Sequence, residues 1–436
     1  MWIVVAACGL THVNAQYSPM SISLKEACQL AVDSNLEVLN AKFENQHKLW
    51  ELREKQSKLY PQIDGYSDFN YYYAIPKMLF PGEFFGETGD IPIEIGTKYD
   101  WSSGLNASLS LVDLSYRTSI RVAKSLQNLS KLNLEQKKEE IVYQVAQVYF
   151  MCQSTGSQIE YLKKNMENTN HLLEITKSQV DNGVARKIDY SKVLVTKNNL
   201  QTQIDNLAKS KEQQLNLLKF LVGIDFTTAL ELTDTLSAKE ILPELQPDFS
   251  NNANIQQLGK QIEISSLNQK LTKQAYLPTL STSGHFFYQG QQNSFNFFDG
   301  NDRFFKVGYI SLNLSVPIFD GFEKHSKVQQ YRIEGQQLAN SKIYATKELQ
   351  KDYLNAVKQY SNSTKSIFRQ QENIKVAEED YRISLQQYKL QVLSLSDLML
   401  SENSLTEARL SYVDALLQLK NAELEIKKIK GDLLKF

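Results

Sequence analysis

The thiol, imidazole and carboxylate groups are where chemistry could reside in this sequence, and their spacing decides which chemistry is open. Cysteine stands at 8, 28 and 152, and histidine at 12, 47, 171, 285 and 325, with no close pair and no regular interval. Disulfide frameworks and metal sites both need such spacing, so neither is expected. No nucleophile–base set and no phosphate-binding glycine loop stands out. An enzyme is therefore the least favoured reading, and no cofactor is expected. Among the carboxylates, Ile188-Asp189 and Ser396-Asp397 form a matched pair 208 residues apart (397 − 189). Each opens a helical pattern, where the helix macrodipole by itself favours an acid.

That pair belongs to an internal repeat. Leu59-Tyr60-Pro61-Gln62-Ile63 resembles Tyr276-Leu277-Pro278-Thr279-Leu280, an offset of 217 (278 − 61). Leu109-Ser110-Leu111-Val112-Asp113 resembles Val316-Pro317-Ile318-Phe319-Asp320, an offset of 207 (320 − 113). Two copies of one unit are expected, over 16–222 and 252–430, joined by a linker at 223–251. Each copy opens with a helix (24–59 and 255–276) and, past its proline, the apolar period switches from 3.6 to 2. In 101–111, Trp101, Leu105, Ala107, Leu109 and Leu111 share one face, and Ser102, Asn106, Ser108 and Ser110 the other. The segment 306–316 repeats this pattern, and 62–73 and 279–288 are weaker versions. Four strands of about ten residues result, the length of a tilted barrel strand crossing a bilayer. The segments between them, 74–100 and 289–305, read as irregular loops rich in glycine, proline and phenylalanine. Tyr71, Tyr72, Tyr73, Trp101, Phe286, Phe287 and Tyr288 are read as an aromatic girdle at the headgroup level, the alternative for the aromatics here being a local cluster within the loops.

The nine prolines leave 93–242 and everything after 317 without a helix breaker. In 115–181, Ile141, Val145, Val148, Cys152, Ile159, Leu162 and Met166 step by threes and fours, with one step of seven. The segment 322–390 follows the same spacing, with two steps of seven, through Leu349, Tyr353, Ala356, Tyr360, Ile367, Ile374, Ala377, Tyr381, Leu385 and Tyr388. Both follow coiled-coil spacing, and each helix would be roughly 100 Å long at 1.5 Å per residue. Helices at 188–222 and 396–430 pair back onto them, so the helical hairpins cover about 115–222 and 322–430. The first hairpin turns at Asn182-Gly183, residues that tolerate a left-handed conformation. The second has Gln391 at the matching place and must turn without glycine.

The 48 Lys+Arg against 49 Asp+Glu give a net charge of −1, which argues against a nucleic-acid binder. No apolar run reaches 18 residues, so a helical membrane protein is not expected. Residues 1–15 read as a secretory signal cut after Ala15, the alternative being a lipoprotein signal ending at Cys8. Four strands with one apolar face cannot close a barrel alone, and open sheet edges are not tolerated in lipid. The chain must share its barrel with copies of itself, two giving eight strands and three giving twelve.

These features together resemble the TolC family of outer-membrane efflux channels. The resemblance is carried by the paired Leu-Tyr-Pro and Tyr-Leu-Pro elements, by Val-Pro-Ile-Phe-Asp-Gly at 316–321, and by Asn-Gly-Val-Ala-Arg-Lys-Ile-Asp at 182–189. It implies a mainly α fold with a small antiparallel β portion, a homotrimer with a twelve-stranded barrel, and a periplasmic helical tunnel with an equatorial collar near 223–251. It also implies location in the outer membrane of a Gram-negative bacterium. The implied function is the exit duct of a tripartite efflux or secretion system, with a periplasmic adaptor and an inner-membrane pump of RND or ABC type as partners. By the same resemblance the periplasmic constriction involves Asp189, Tyr388 and Asp397. Leu393 and Leu400 stand where the family's best-known member has charges, so one aspartate ring with a hydrophobic lining is expected. The competing reading is a secreted or periplasmic coiled-coil scaffold without a pore.

Overall fold

The computed structural model describes residues 20–238, 247–298 and 304–435. The expected signal, the lipidation alternative at Cys8 and the linker's Pro243 lie outside these residues. Helices dominate: α1 (Leu24–Ser34), α2 (Leu36–Ser57), α3 (Leu114–Asp181), α4 (Lys187–Val222), α5 (Ala253–Gln274), α6 (Glu323–Lys389) and α7 (Leu395–Lys430). The strands are β1 (Met20–Ile22), β2 (Gln62–Tyr71), β3 (Lys77–Pro81), β4 (Asp90–Glu94), β5 (Tyr99–Val112), β6 (Leu230–Leu232), β7 (Thr279–Gln292) and β8 (Phe304–Ser315). Among the described residues, no helix is long and apolar enough to cross a membrane. Two compact units form, one from 1–44, 131–258 and 341–436, the other from 45–130 and 259–340.

In the first unit the threes-and-fours seam of α3 becomes the core. Ile141, Val145, Val148, Tyr149 and Cys152 pack with Cys28, Ala31, Leu218 and Val222. Both described thiols, Cys28 and Cys152, are buried there, and burial pushes each thiol pKa up to about 12, which removes the reactive thiolate at neutral pH. The seam of α6 packs equally, with Tyr353, Ala356, Tyr360 and Ile367 against Leu416 and Leu419 of α7. Beside this core β1 and β6 pair in parallel. The Tyr149 hydroxyl contacts the Ile22 carbonyl and an Asp234 carboxylate oxygen at 3.1 Å each.

The opening helix departs from the sequence expectation of one continuous segment from 24 to 59. Ile22 lies in a strand, and the helix breaks at Asn35, whose ψ of 129° is extended. The break has a cause. Asn35 turns its side chain to cap α2, accepting from Glu37 N at 2.9 Å and Val38 N at 3.4 Å, and donates through Nδ2 to the Leu221 carbonyl at 2.9 Å. Asn252 repeats this before α5, accepting from Asn254 N and Ile255 N and donating to the Ile429 carbonyl at 3.0 Å. Each bonded carbonyl lies two residues before a left-handed glycine, Gly223 (φ 76°) or Gly431 (φ 72°). A Cβ on Gly431 would meet the Asn251 carbonyl at 2.5 Å. Both offsets repeat the sequence arithmetic: 252 − 35 is 217 and 431 − 223 is 208.

In the second unit the four long strands pair antiparallel in the order β2-β5-β7-β8. The segment 74–100 is not irregular: it holds a separate β3–β4 hairpin running from Lys77↔Glu94 to Pro81↔Asp90. Pro81 and Pro92 hide it from a sequence reading because proline is depleted in strands, yet a two-stranded ribbon tolerates it at unpaired N–H positions. The segment 289–305 also shortens, since β7 continues to Gln292 and β8 begins at Phe304.

Candidate functional site: two sheet faces and two hairpin tips

Register divides the four-stranded sheet into two faces. Ile63, Phe69, Leu105, Leu109, Phe286, Ile310, Leu312 and Leu314 fall on one; Asp64, Asp68, Asp100, Asn106, Ser108, Ser283, His285 and Asn313 fall on the other. The apolar face is bare in the protomer, with Ile310 85% exposed. The polar face is laced across strands: His285 Nδ1 lies 2.7 Å from Asn106 Oδ1, its ring stacks on Tyr309 at 4.6 Å, and Gln289 donates to Asp100 at 3.0 Å. Its charged strand residues are aspartates, with no Lys or Arg. A Cβ on Gly104 would meet the Phe286 carbonyl and Phe287 Cβ at 2.3 Å each, so the β5–β7 approach at this point requires glycine.

The expected aromatic girdle is partly rearranged. Trp101, Phe286 and Tyr288 share the apolar face, but Phe287 points to the polar face and sits 6.4 Å from Tyr66, because three consecutive strand residues cannot share one side. Tyr72 and Tyr73 lie past the end of β2, and Tyr73 is 93% exposed. The girdle reading missed the partners of Trp101. Phe69, Phe297, Phe298 and Phe304 surround it at 5.6–6.4 Å, so the loop rings Phe297 and Phe298 pack in one cluster with the strand aromatics.

At the first tip, Gly183 takes φ 73°, and Val184 and Ala185 both donate to the Gln179 carbonyl. The second tip copies this geometry without glycine. Gln391 takes φ 62°, and Val392 and Leu393 both donate to the Gln387 carbonyl. Holding a residue with a Cβ in that region costs about 1 kcal/mol. Gln391→Gly should therefore raise stability by about 1 kcal/mol, read from the unfolding midpoint of the helical signal, while Gly183→Ala should lower it.

The site residues singled out from the sequence gather near these tips without forming one surface. Asp189 accepts from Arg186, through its backbone N at 3.3 Å and guanidinium Nε at 3.2 Å, and the Arg186 hydrogen bonds hold its carboxyl below the usual range. Asp397 is exposed and accepts from Ser394 Oγ at 2.6 Å, while its own N–H donates back to that hydroxyl at 3.2 Å. Tyr388 is buried among Leu172, Val193, Leu395 and Leu398 and donates to Gln179 Oε1 at 3.0 Å. Burial first, and then the Asp189 charge, raise its phenol pKa. Leu400 is 66% exposed and lines a shallow groove between α4 and α7 with Ile188, Val195, Lys192 and Met399. Within the protomer Tyr388 positions the tip, and Asp397 and Leu400 are free to face something else. Among the described residues, no group of His, Cys, Asp and Glu is arranged to hold a metal ion.

A search of curated proteins found no match. Among similar solved structures is CusC, described in terms of its folding and transmembrane channel formation, at 15% identity and a TM-score of 0.77, covering 94% of this chain and 92% of that one. The outer membrane protein VceC from Vibrio cholerae gives 14%, 0.75, 94% and 96%, and the CmeC outer membrane channel of Campylobacter jejuni 18%, 0.76, 94% and 85%. These likenesses establish the fold. The family profile described as "Outer membrane efflux protein" matches residues 27–224 and 249–432, most of the sequence. The scaffold alternative falls with that match, since a pore-free coiled coil has no use for a paired sheet with one bare apolar face. The chain belongs to the outer membrane efflux protein family.

Proposed function

We propose that three copies close one twelve-stranded barrel in the outer membrane, continued in the periplasm by helical hairpins, as the exit duct of a tripartite efflux or secretion system. The observation that carries this is the four-stranded sheet itself: one face is bare and apolar, and β2 and β8 have unpaired edges. Strand direction alternates across it, so the next copy's β2 meets β8 antiparallel and closure preserves the pattern. An eight-stranded barrel has an interior filled by side chains. With Tyr66, Phe287 and Tyr309 on the polar face, a duct needs more strands than two copies supply. The resemblance to the TolC family points to three, and to a periplasmic adaptor and an inner-membrane pump as partners. In this reading the exposed Leu400 side chain lines the constriction beside Asp397. The protein is a passive conduit, and the bond-breaking or proton-moving step belongs to the pump.

Three Asp397 carboxylates around the axis would attract cations into the constriction, and Asp64, Asp68 and Asp100 give the barrel lumen the same sign. Purified protein in planar bilayers should thus conduct with cation preference, and multivalent cations added from the tip side should block it. In Asp397→Ala that block should weaken roughly tenfold. Unchanged block would remove Asp397 from the constriction, and absence of conductance in the wild type would refute the duct.

A further inference from the structure

Every residue of the apolar face is uncharged at neutral pH except one. Rows across the sheet run Phe69–Trp101–Gly290–Phe304, then Ser67–Ser103–Tyr288–Lys306, then Gly65–Leu105–Phe286–Gly308, then Ile63–Ala107–Gly284–Ile310. Lys306 stands alone as a charge on this face, its Nζ 5.8 Å from the Tyr288 ring centroid. Its row is polar from edge to edge. Ser67 Oγ lies 2.6 Å from Ser103 Oγ and accepts from Trp101 Nε1 at 3.0 Å. On one side of this row lies the aromatic row, with Phe297 packed 5.6 Å from Trp101 and 5.9 Å from Phe304. On the other side, down to the end of the strands, Thr282 is the one polar residue of the face.

We propose that Lys306 binds a phosphate of the glycolipid that forms the outer leaflet of the outer membrane. The inference rests on the reading that this face meets the membrane. A lysine at the middle of a barrel's lipid face is strongly disfavoured, so its place must be the headgroup level, and the girdle row beside it marks that level independently. The leaflet follows from connectivity. All helices join the strands at one end, through the 58–61, 113, 275–278 and 316–322 connections, and Lys306 is the third residue from the other end of β8. With the helical portion in the periplasm, that other end is the outer leaflet.

Charge complementarity then selects the ligand. No carboxylate lies on this face of any of the four strands, and the matching face of β2 (Ile63, Gly65, Ser67, Phe69, Tyr71) is also free of acids. Closing the sheet with further copies therefore brings no carboxylate from the described strands to Lys306. The flexible stem lets the ammonium reach a phosphate plane while its methylenes stay on the apolar surface. The Tyr288 phenol and the Ser103 hydroxyl in the same row offer donors for the remaining phosphate oxygens.

Native mass spectrometry of the detergent-extracted assembly tests this, titrating bisphosphorylated lipid A, its dephosphorylated form, and phosphatidylglycerol. The wild type should bind bisphosphorylated lipid A roughly fivefold or more tighter than the other two, Lys306→Gln should lose the preference, and Lys306→Arg should keep it. Equal binding of the two lipid A forms, a preference surviving in Lys306→Gln, or phosphatidylglycerol binding as tightly would each overturn the assignment. Failure of the membrane reading itself has a different signature, since the wild type would then not insert into lipid vesicles at all.

Discussion

Ile310→Arg should abolish assembly in the outer membrane, while Ser311→Arg, one residue further along the same strand, should assemble normally and conduct with reduced cation preference. The two positions differ only in the face they occupy. Ile310 is 85% exposed on the apolar face, in a row with Ile63, Ala107 and Gly284. An arginine near the bilayer midplane of a barrel's lipid face costs roughly 2–4 kcal/mol, and a symmetric assembly incurs that cost in every copy. Three copies bring it to about 6–12 kcal/mol, comparable with the whole stability of a typical domain. Ser311 lies on the polar face, where its Oγ sits 2.8 Å from Ser283 Oγ. An arginine there meets water and the field of Asp64, Asp68 and Asp100. The readouts are the amount of protein in the outer-membrane fraction and the reversal potential in a salt gradient. Equal outer-membrane levels for both variants would contradict the assignment of the faces.

The second large effect concerns stability against pH. Glu402 of α7 is 6% exposed. Asn168 bonds its carboxylate, while Oε1 finds no partner among the described residues. Burial outweighs the Asn168 bond and raises its pKa from 4.5 to about 7. The sign follows from proton counts. Below pH 4.5 folded and unfolded chains both hold the proton, between 4.5 and 7 the folded chain alone holds it, and so stability falls as pH rises through that window. The loss attributable to Glu402 approaches about 3 kcal/mol above pH 7. Glu139, raised to about 7 by burial and then by the Glu135 and Asp432 charges, acts in the same direction with a smaller, solvent-screened effect. Denaturant unfolding followed by the helical signal at pH 4, 6 and 8 should show Glu402→Gln gaining on the wild type by about 3 kcal/mol over that range. A constant difference between the two proteins at all three pH values would contradict the burial argument.

The helical hairpins were legible because each seam residue repeats one physical demand, burial on a face every three or four positions. Ile141, Val145, Val148 and Cys152 of α3 all reached the core, and the ends of α3, α4, α6 and α7 fall within a residue of the pattern. Strand faces were legible for the same reason at period two. What escaped was governed by single side chains acting on backbone groups far away in sequence. Asn35 breaks the first helix to bond a carbonyl 186 residues away, and nothing local marks it, although its 217-residue offset to Asn252 was there to be found. The repeat placed Gln391 at the second turn, but its left-handed conformation was not legible because the tip imposes it against the residue's own preference. Phe287 was misplaced because an aromatic triplet was read as a cluster, when alternation must send its middle member to the other face. At the tip, the family resemblance pointed to Asp397 and Tyr388 alike, but only the fold separates a buried, hydrogen-bonded phenol from an exposed carboxylate.

The central claim is that this sheet is one part of a shared, closed barrel. The native mass of the protein extracted intact from the outer membrane tests it most directly. Three chains in one complex, dissociating to single chains only on denaturation, is the predicted result. A single chain, or a pair, carrying the same folded sheet in the membrane would contradict it.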